Sequence, residues 1–184
     1  MADTSSNMLP LGTKAPHFEL LDTVSDTFLN LKNIKGACGT VIMFICNHCP
    51  FVLHINDELV KIANEYTKLD IHFIAISSND VVNYPQDSPE NMKKQAQLEG
   101  YTFPYLYDET QEVARAYDAA CTPDFYVFDK DLELVYRGQM DDSRPGNKAP
   151  VTGADLKYAL DCLINIKENT RIQKPSIGCN IKWK

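Results

Sequence analysis

Six consecutive residues, Thr40-Val41-Ile42-Met43-Phe44-Ile45, carry no charge and a single hydroxyl. A run so short and so apolar predicts a strand covered on both faces. Apolar residues then recur at Val52, Ile55, Leu59, Ile62 and Tyr66. That spacing of three and four predicts a helix with one buried stripe. Ile71-His72-Phe73-Ile74-Ala75-Ile76-Ser77 reads as the next strand. Strand, helix and strand in this order form a crossover unit with parallel pairing, which commits the chain to an α/β architecture.

The flanking segments fit around that unit. Phe18–Leu21 and Thr27–Leu31 read as a short hairpin across Asp22–Asp26, and residues 1–13 as a loose polar leader. Ser88-Pro89-Glu90 is a helix-start signature, and that helix stops at Gly100. Residues 103–107 are expected to be extended, and 110–117 to form a short helix. Asp124–Phe128 and Leu132–Tyr136 flank Asp129-Lys130-Asp131, a hairpin signal. A Gly/Pro/Asp-rich loop covers Gly138–Pro150. The last helix is expected over 154–167, with Leu156, Leu160, Leu163 and Ile164 on one face. No internal repeat, low-complexity tract or interior linker interrupts the order. The expectation is one α/β domain over residues 1–184, with a central mixed sheet flanked by helices, an N-terminal hairpin, a core at about 9–167 and a tail at 168–184.

Between the first buried strand and its helix stands Cys46-Asn47-His48-Cys49-Pro50. A helix N-terminus concentrates unpaired N–H groups and the positive end of the dipole, a setting that stabilises a thiolate. A thiolate with a second thiol nearby can attack a disulfide and then be resolved internally. Two other readings stand beside this one: half of a zinc site, or small apolar filler. The strand-to-helix setting favours the redox dithiol.

The chain has 184 residues, 44% hydrophobic and 23% charged, an ordinary globular composition that needs no disulfide staples. Its net charge of −7 argues against nucleic acid as a partner. The first residues have neither the basic nor the apolar region of a secretion signal, and no stretch is long enough for a membrane span. A cytoplasmic setting is therefore expected. There, the six cysteines (38, 46, 49, 121, 162 and 179) are expected to serve catalysis or metal binding rather than a disulfide framework.

This order of elements resembles the thioredoxin fold, with Cys-x-x-Cys at the first strand-to-helix switch and Thr122-Pro123 just before the late hairpin. It resembles in particular the redoxin branch, the alkyl-hydroperoxide-reductase and thiol-specific-antioxidant proteins. The marks are Asn47-His48-Cys49-Pro50-Phe51, Cys121-Thr122-Pro123-Asp124, Arg137-Gly138-Gln139 with Asp141–Pro145, and the Gly178-Cys179-Asn180 ending. The resemblance implies Cys46 as the attacking cysteine and Cys49 as the resolving one. It implies that Pro123 is cis and faces the dithiol, presenting a backbone edge to the substrate. The implied activity is thiol–disulfide exchange on a disulfide-bearing protein or small molecule, with an external thiol reductant and no cofactor. The alternatives are a thiol peroxidase and a non-enzymatic metal-binding protein.

The sequence departs from these relatives at Ile45, where thioredoxins carry Trp, and at Thr40, where they carry a buried Asp. The peroxiredoxin pattern Pro-x-x-x-Thr/Ser-x-x-Cys is absent. Counting back from Cys46 gives Met43 and Gly39, and from Cys49 gives Cys46 and Ile42.

His48 inside the dithiol loop is expected to favour thiolate at Cys46 and raise the reduction potential above the roughly −270 mV of thioredoxin; the alternative is a bystander facing solvent. His17, His54 and His72 have no ligand-like spacing. Cys121 is expected near or just behind the site. Cys179, in a tail with Trp183, is either a third redox thiol or a passive neighbour of a plug made by Trp183 and Ile181. Cys38 and Cys162 read as structural. Cys46, Cys49, Cys121 and Cys179 could together make a thiolate zinc site. With no second Cys-x-x-Cys, no metal is expected.

Overall fold

The apolar run at 40–45 does become a fully buried strand, and the sheet grows outward from it on both sides. The computed structural model describes residues 3–184. In chain order its strands are β1 (Asp3–Ser5), β2 (Glu19–Asp22), β3 (Thr27–Asn30), β4 (Gly39–Phe44), β5 (Ile71–Ser77), β6 (Tyr105–Tyr107), β7 (Cys121–Thr122), β8 (Asp124–Asp129), β9 (Leu134–Gly138) and β10 (Ile177–Asn180). The helices are α1 (Leu31–Ile34), α2 (Pro50–Tyr66), α3 (Pro89–Glu99), α4 (Glu112–Ala116) and α5 (Ala154–Ile164).

Seven strands form one mixed sheet in the order β3-β2-β6-β5-β4-β8-β9. β4 runs parallel to β5 and antiparallel to β8, so it is covered on both edges as well as on both faces. Its side chains alternate between two cores. Val41 and Met43 pack with Val52, Leu59 and Ile62 of α2, Met92 of α3 and Leu160 of α5. Ile42 and Phe44 pack with Leu31, Ala114, Tyr117 and Tyr126 on the other side. Each such fully buried apolar side chain contributes about 1.5–3 kcal/mol. β4, which ends one residue short of Ile45, is thus anchored on every side just before the chain turns into the Cys46 loop. This is the thioredoxin-like arrangement: a central mixed sheet flanked by helices.

The stripe predicted for α2 is observed, with Val52, Ile55, Leu59, Ile62 and Tyr66 buried and Asn56 added to them. Ser88 caps α3 by accepting from the Asn91 amide, and Gly100 ends it in the left-handed conformation at φ 69°. Several boundaries differ from expectation. β9 begins at Leu134 because Leu132 sits in the turn at φ 60°. α5 ends at Ile164, two residues before Ile166 turns left-handed at φ 52°. The leader expected to be loose contributes β1, which with the tail strand β10 and with β7 builds a second, three-stranded sheet.

The polar loop after β9 folds inward. Asp141 accepts the Thr152 and Gly153 amides at 2.7 Å each, at the start of α5. Arg144 donates to the carbonyls of Asp141 and Ser143, both at 2.6 Å. Its charges are spent on closing the loop. Among the described residues no helix is long and apolar enough to cross a membrane.

Candidate active site

The turn 45–49 carries the chain from β4 to α2. The helix begins at Pro50, with Cys49 as its N-cap and proline in the first turn. This corrects the expected placement of Cys46 at the helix N-terminus with Cys49 inside the first turn. The dipole acts most directly on Cys49, and Cys46 lies in the turn before it.

All six cysteines are free thiols. Cys46 is 2% exposed and Cys49 is fully buried. The two share a hydrogen bond, and the pair divides its charge unequally. Cys49 is lowered to about 5, first by the hydrogen bond from Cys46 and then by one from Cys179. Cys46 is pushed well above the ordinary thiol range by that same bond, by burial and by the nearby Asp87 carboxylate. The expectation was a thiolate at Cys46; its pairing with Cys49, burial and the nearby Asp87 carboxylate instead push that thiol up, while Cys49 is lowered.

Thr122 meets both sulfurs. Its hydroxyl lies 3.5 Å from Cys46 Sγ and its carbonyl 3.1 Å from Cys49 Sγ. The Thr122–Pro123 peptide is cis. Cys121 turns its thiol to the carbonyls of Pro123, at 3.8 Å, and Ser176, at 4.0 Å. Burial, followed by the charge of Asp124, pushes that thiol far up, so it stays protonated.

His48 is held by Asp87. Its Nδ1 is 2.7 Å from Asp87 Oδ2, close enough for an ion pair though outside good hydrogen-bond alignment. The imidazole stacks on Tyr84 at 5.7 Å between centroids. Asp87 also accepts the Asn47 amide and the Asn79 side chain, each at 2.8 Å. Tyr105 donates to Asn47 Oδ1 at 3.0 Å. The dithiol turn is thus pinned from the β5–α3 connection by an acid that belongs to none of the motifs legible in the sequence. Asp87 stands just before the Ser88 cap. Its only sequence signal was an acid placed immediately ahead of a helix start.

Cys46, His48 and Asp87 offer ligand atoms within 4.8 Å of one another. The four-cysteine set considered from sequence is not this group: among the described residues Cys121 faces carbonyls instead. Cys179, in contrast, reaches the dithiol through its hydrogen bond to Cys49. His54 pairs with Ser143 at 2.8 Å and His72 with the Ile34 carbonyl at 3.0 Å, as ordinary structural residues. Cys38 is half-buried and Cys162 buried on α5, away from these contacts.

A thioredoxin-like sheet with a buried thiol pair at the first strand-to-helix turn defines the class. The AhpC/TSA family pattern matches residues 11–137, and the chain belongs to that family. An uncharacterized conserved protein from Geobacillus kaustophilus is 59% identical, with a TM-score of 0.98 over 100% of this chain and 97% of that one. A hypothetical protein from Sinorhizobium meliloti is 45% identical, with a TM-score of 0.96 over 98% of each chain. Peroxidoxin BcpB from Mycobacterium tuberculosis is similar in fold alone, at 19% identity and a TM-score of 0.63 over 86% of this chain and 98% of that one. None of the curated proteins matches this sequence. Family and fold together make this a redox protein of the oxidoreductase type.

Proposed function

We propose that the protein is a thiol–disulfide oxidoreductase whose redox centre is the Cys46/Cys49 dithiol. The observation that carries this reading is a buried thiol pair at the strand-to-helix turn, with both sulfurs against Thr122. A thiol hydrogen-bonded to a thiolate lowered to about 5 has its base already in place. Cys46, the sulfur with residual exposure, attacks a substrate disulfide while its proton passes to Cys49. One substrate thiolate leaves and takes up a proton. Cys49, its S–H directed at the Thr122 carbonyl, then attacks Cys46 and passes its proton to the departing second substrate sulfur. The Cys46–Cys49 disulfide forms, the second substrate thiol leaves, and an external thiol reductant resets the pair. The missing acid at Thr40 is no obstacle, because the second sulfur supplies the base. Substrates are disulfide-bearing proteins or small molecules, in a cytoplasmic setting, with no cofactor.

A second reading is a thiol peroxidase with an antioxidant role. It is favoured by the Thr122 hydroxyl, 3.5 Å from Cys46 Sγ, which stands near the sulfur where the peroxiredoxin hydroxyl is absent from the local motif. Mixing the reduced protein rapidly with hydrogen peroxide separates the two. A rate no better than that of a free thiol, together with catalysed reduction of a small disulfide, supports exchange. Fast sulfenic acid formation supports the peroxidase. Stoichiometric zinc without either activity would favour metal binding.

A further inference from the structure

The backbone edge beside Thr122, which a substrate would be expected to use, is taken by the protein's own tail. β10 pairs antiparallel with β7, placing Cys179 opposite Thr122 and Asn180 opposite Cys121. Thr122 is the residue that touches both dithiol sulfurs, so the register delivers Cys179 to the same place. Cys179 is packed in one buried cluster with Cys46 and Cys49, and its sulfur and that of Cys49 shift each other's ionisation.

The approach is built rather than incidental. Gly178 lies so close to the Thr122 carbonyl that any Cβ at 178 would collide with it. Ser176 Oγ donates to the Pro123 carbonyl at 2.6 Å, and the Ile181 amide donates to the Ala120 carbonyl at 3.1 Å. Beyond Ile181, the Lys182 amide donates to Asn79 Oδ1 at 2.8 Å. The alternative from sequence was a plug formed by Ile181 and Trp183. Ile181 is indeed buried, but it lies in the core on the other side of the sheet. Trp183 is 38% exposed beneath Arg115. The residue seated on the dithiol is Cys179.

We propose that β10 is a built-in substrate strand and Cys179 a third redox thiol that receives the disulfide from the Cys46/Cys49 pair. This inference rests on the dithiol reading above. Once a substrate disulfide has oxidised the pair, the Cys179 thiol gives up its proton and its sulfur attacks Cys49. The Cys49–Cys179 bond forms as the Cys46–Cys49 bond breaks. The electron pair leaves on Cys46, which takes up a proton. One disulfide is exchanged for another, and no further oxidant is consumed. An external thiol then reduces Cys49–Cys179.

The charge on Cys49 gates the step. In the reduced protein Cys179 is held up at about 12, by burial and then by its hydrogen bond to the Cys49 sulfur and by that sulfur's charge. Oxidation of Cys49 removes the last two causes together. Cys179 becomes easier to ionise at the moment its target is a disulfide.

The test is a time course on the wild-type protein. Reduced protein is mixed with stoichiometric hydroxyethyl disulfide, quenched in acid, alkylated and mapped without reduction by tandem mass spectrometry. The expected result is a Cys46–Cys49 species that falls as a Cys49–Cys179 species with alkylated Cys46 rises, to a tenth or more of the oxidised protein. Cys179→Ala should stop at Cys46–Cys49 and turn over severalfold more slowly. Cys179 fully alkylated at every time point, while Cys46–Cys49 forms normally, overturns the relay and leaves the dithiol reading standing. Failure of both disulfides to form overturns the two together.

Discussion

His48 turns its Nδ1 onto Asp87, 2.7 Å from an oxygen of a carboxylate that has no exposure to solvent. The histidine in the dithiol loop therefore faces a buried acid that in turn acts on Cys46. Asp87 pushes the Cys46 thiol up. Positive charge on an imidazole beside that acid would oppose the push.

His48→Ala should therefore leave Asp87 unopposed and make Cys46 less acidic. Asp87→Asn should do the reverse. The rate–pH profile of Cys46 alkylation reads both: its midpoint moves up in the first variant and down in the second. Unchanged midpoints in both would make this pair purely structural. Asp87→Ala should also destabilise the fold by roughly 3 kcal/mol in denaturant titration, because the Asn47 amide and the Asn79 side chain lose a buried acceptor.

The unequal sharing of the proton is visible in the ultraviolet. Thiolate absorbance near 240 nm should rise with a midpoint near 5, the value at Cys49. Cys49→Ser should abolish that transition. Cys46→Ala should move it upward, since the hydrogen bond from Cys46 is the largest cause of the lowering. A low midpoint that survives in Cys49→Ser would put the charge on Cys46.

Gly178→Ala places a methyl group against the Thr122 carbonyl. β10 should shift away from β7, protection of the Asn180 and Ile181 amides against hydrogen exchange should fall, and Cys46 should alkylate severalfold faster. The seven-stranded sheet does not include β10, so the loss of global stability should stay within about 1–3 kcal/mol.

Asp124, next to Pro123, is buried completely, and burial raises its carboxyl to about 8. Tyr126 donates to one of its oxygens at 3.0 Å. Because the folded value lies above the unfolded one of about 3.9, the folded state holds the proton more tightly. That stabilisation is complete below about pH 4 and is lost as pH rises towards 8, with a slope of at most ~1.4 kcal/mol per pH unit. Asp124→Asn should flatten the fall in unfolding free energy between pH 4 and 8. An identical slope in the variant would show that another group titrates there.

Much of the fold was legible because its signals are local. The apolar run at 40–45, the stripe from Val52 to Tyr66, the Ser88 cap and the Gly100 stop are each specified within a few residues. The thiol pair at the strand-to-helix turn was legible for the same reason. What escaped depends on distant partners. Asp3-Thr4-Ser5 has no strand signature of its own and is extended only because it pairs with Ile177, Gly178 and Cys179. Asp87 looks like any loop acid until the fold brings it to His48 and Asn47. The upward push on Cys46 depends on an acid whose approach to it no spacing rule encodes.

The clasp of β1, β10 and β7 also fixes when the redox face is finished during synthesis. Asp3 pairs with Cys179, and Cys179 with Thr122. None of these contacts can form until β10 has been synthesised, whereas every strand of the seven-stranded sheet ends by Gly138. A nascent chain thus carries the strands of its sheet with the thiol pair uncovered, and arrival of β10 closes it. A bulky fusion joined close behind β10 acts on that closing step, so a protein fused there and one fused elsewhere should differ in thiol reactivity before they differ in fold.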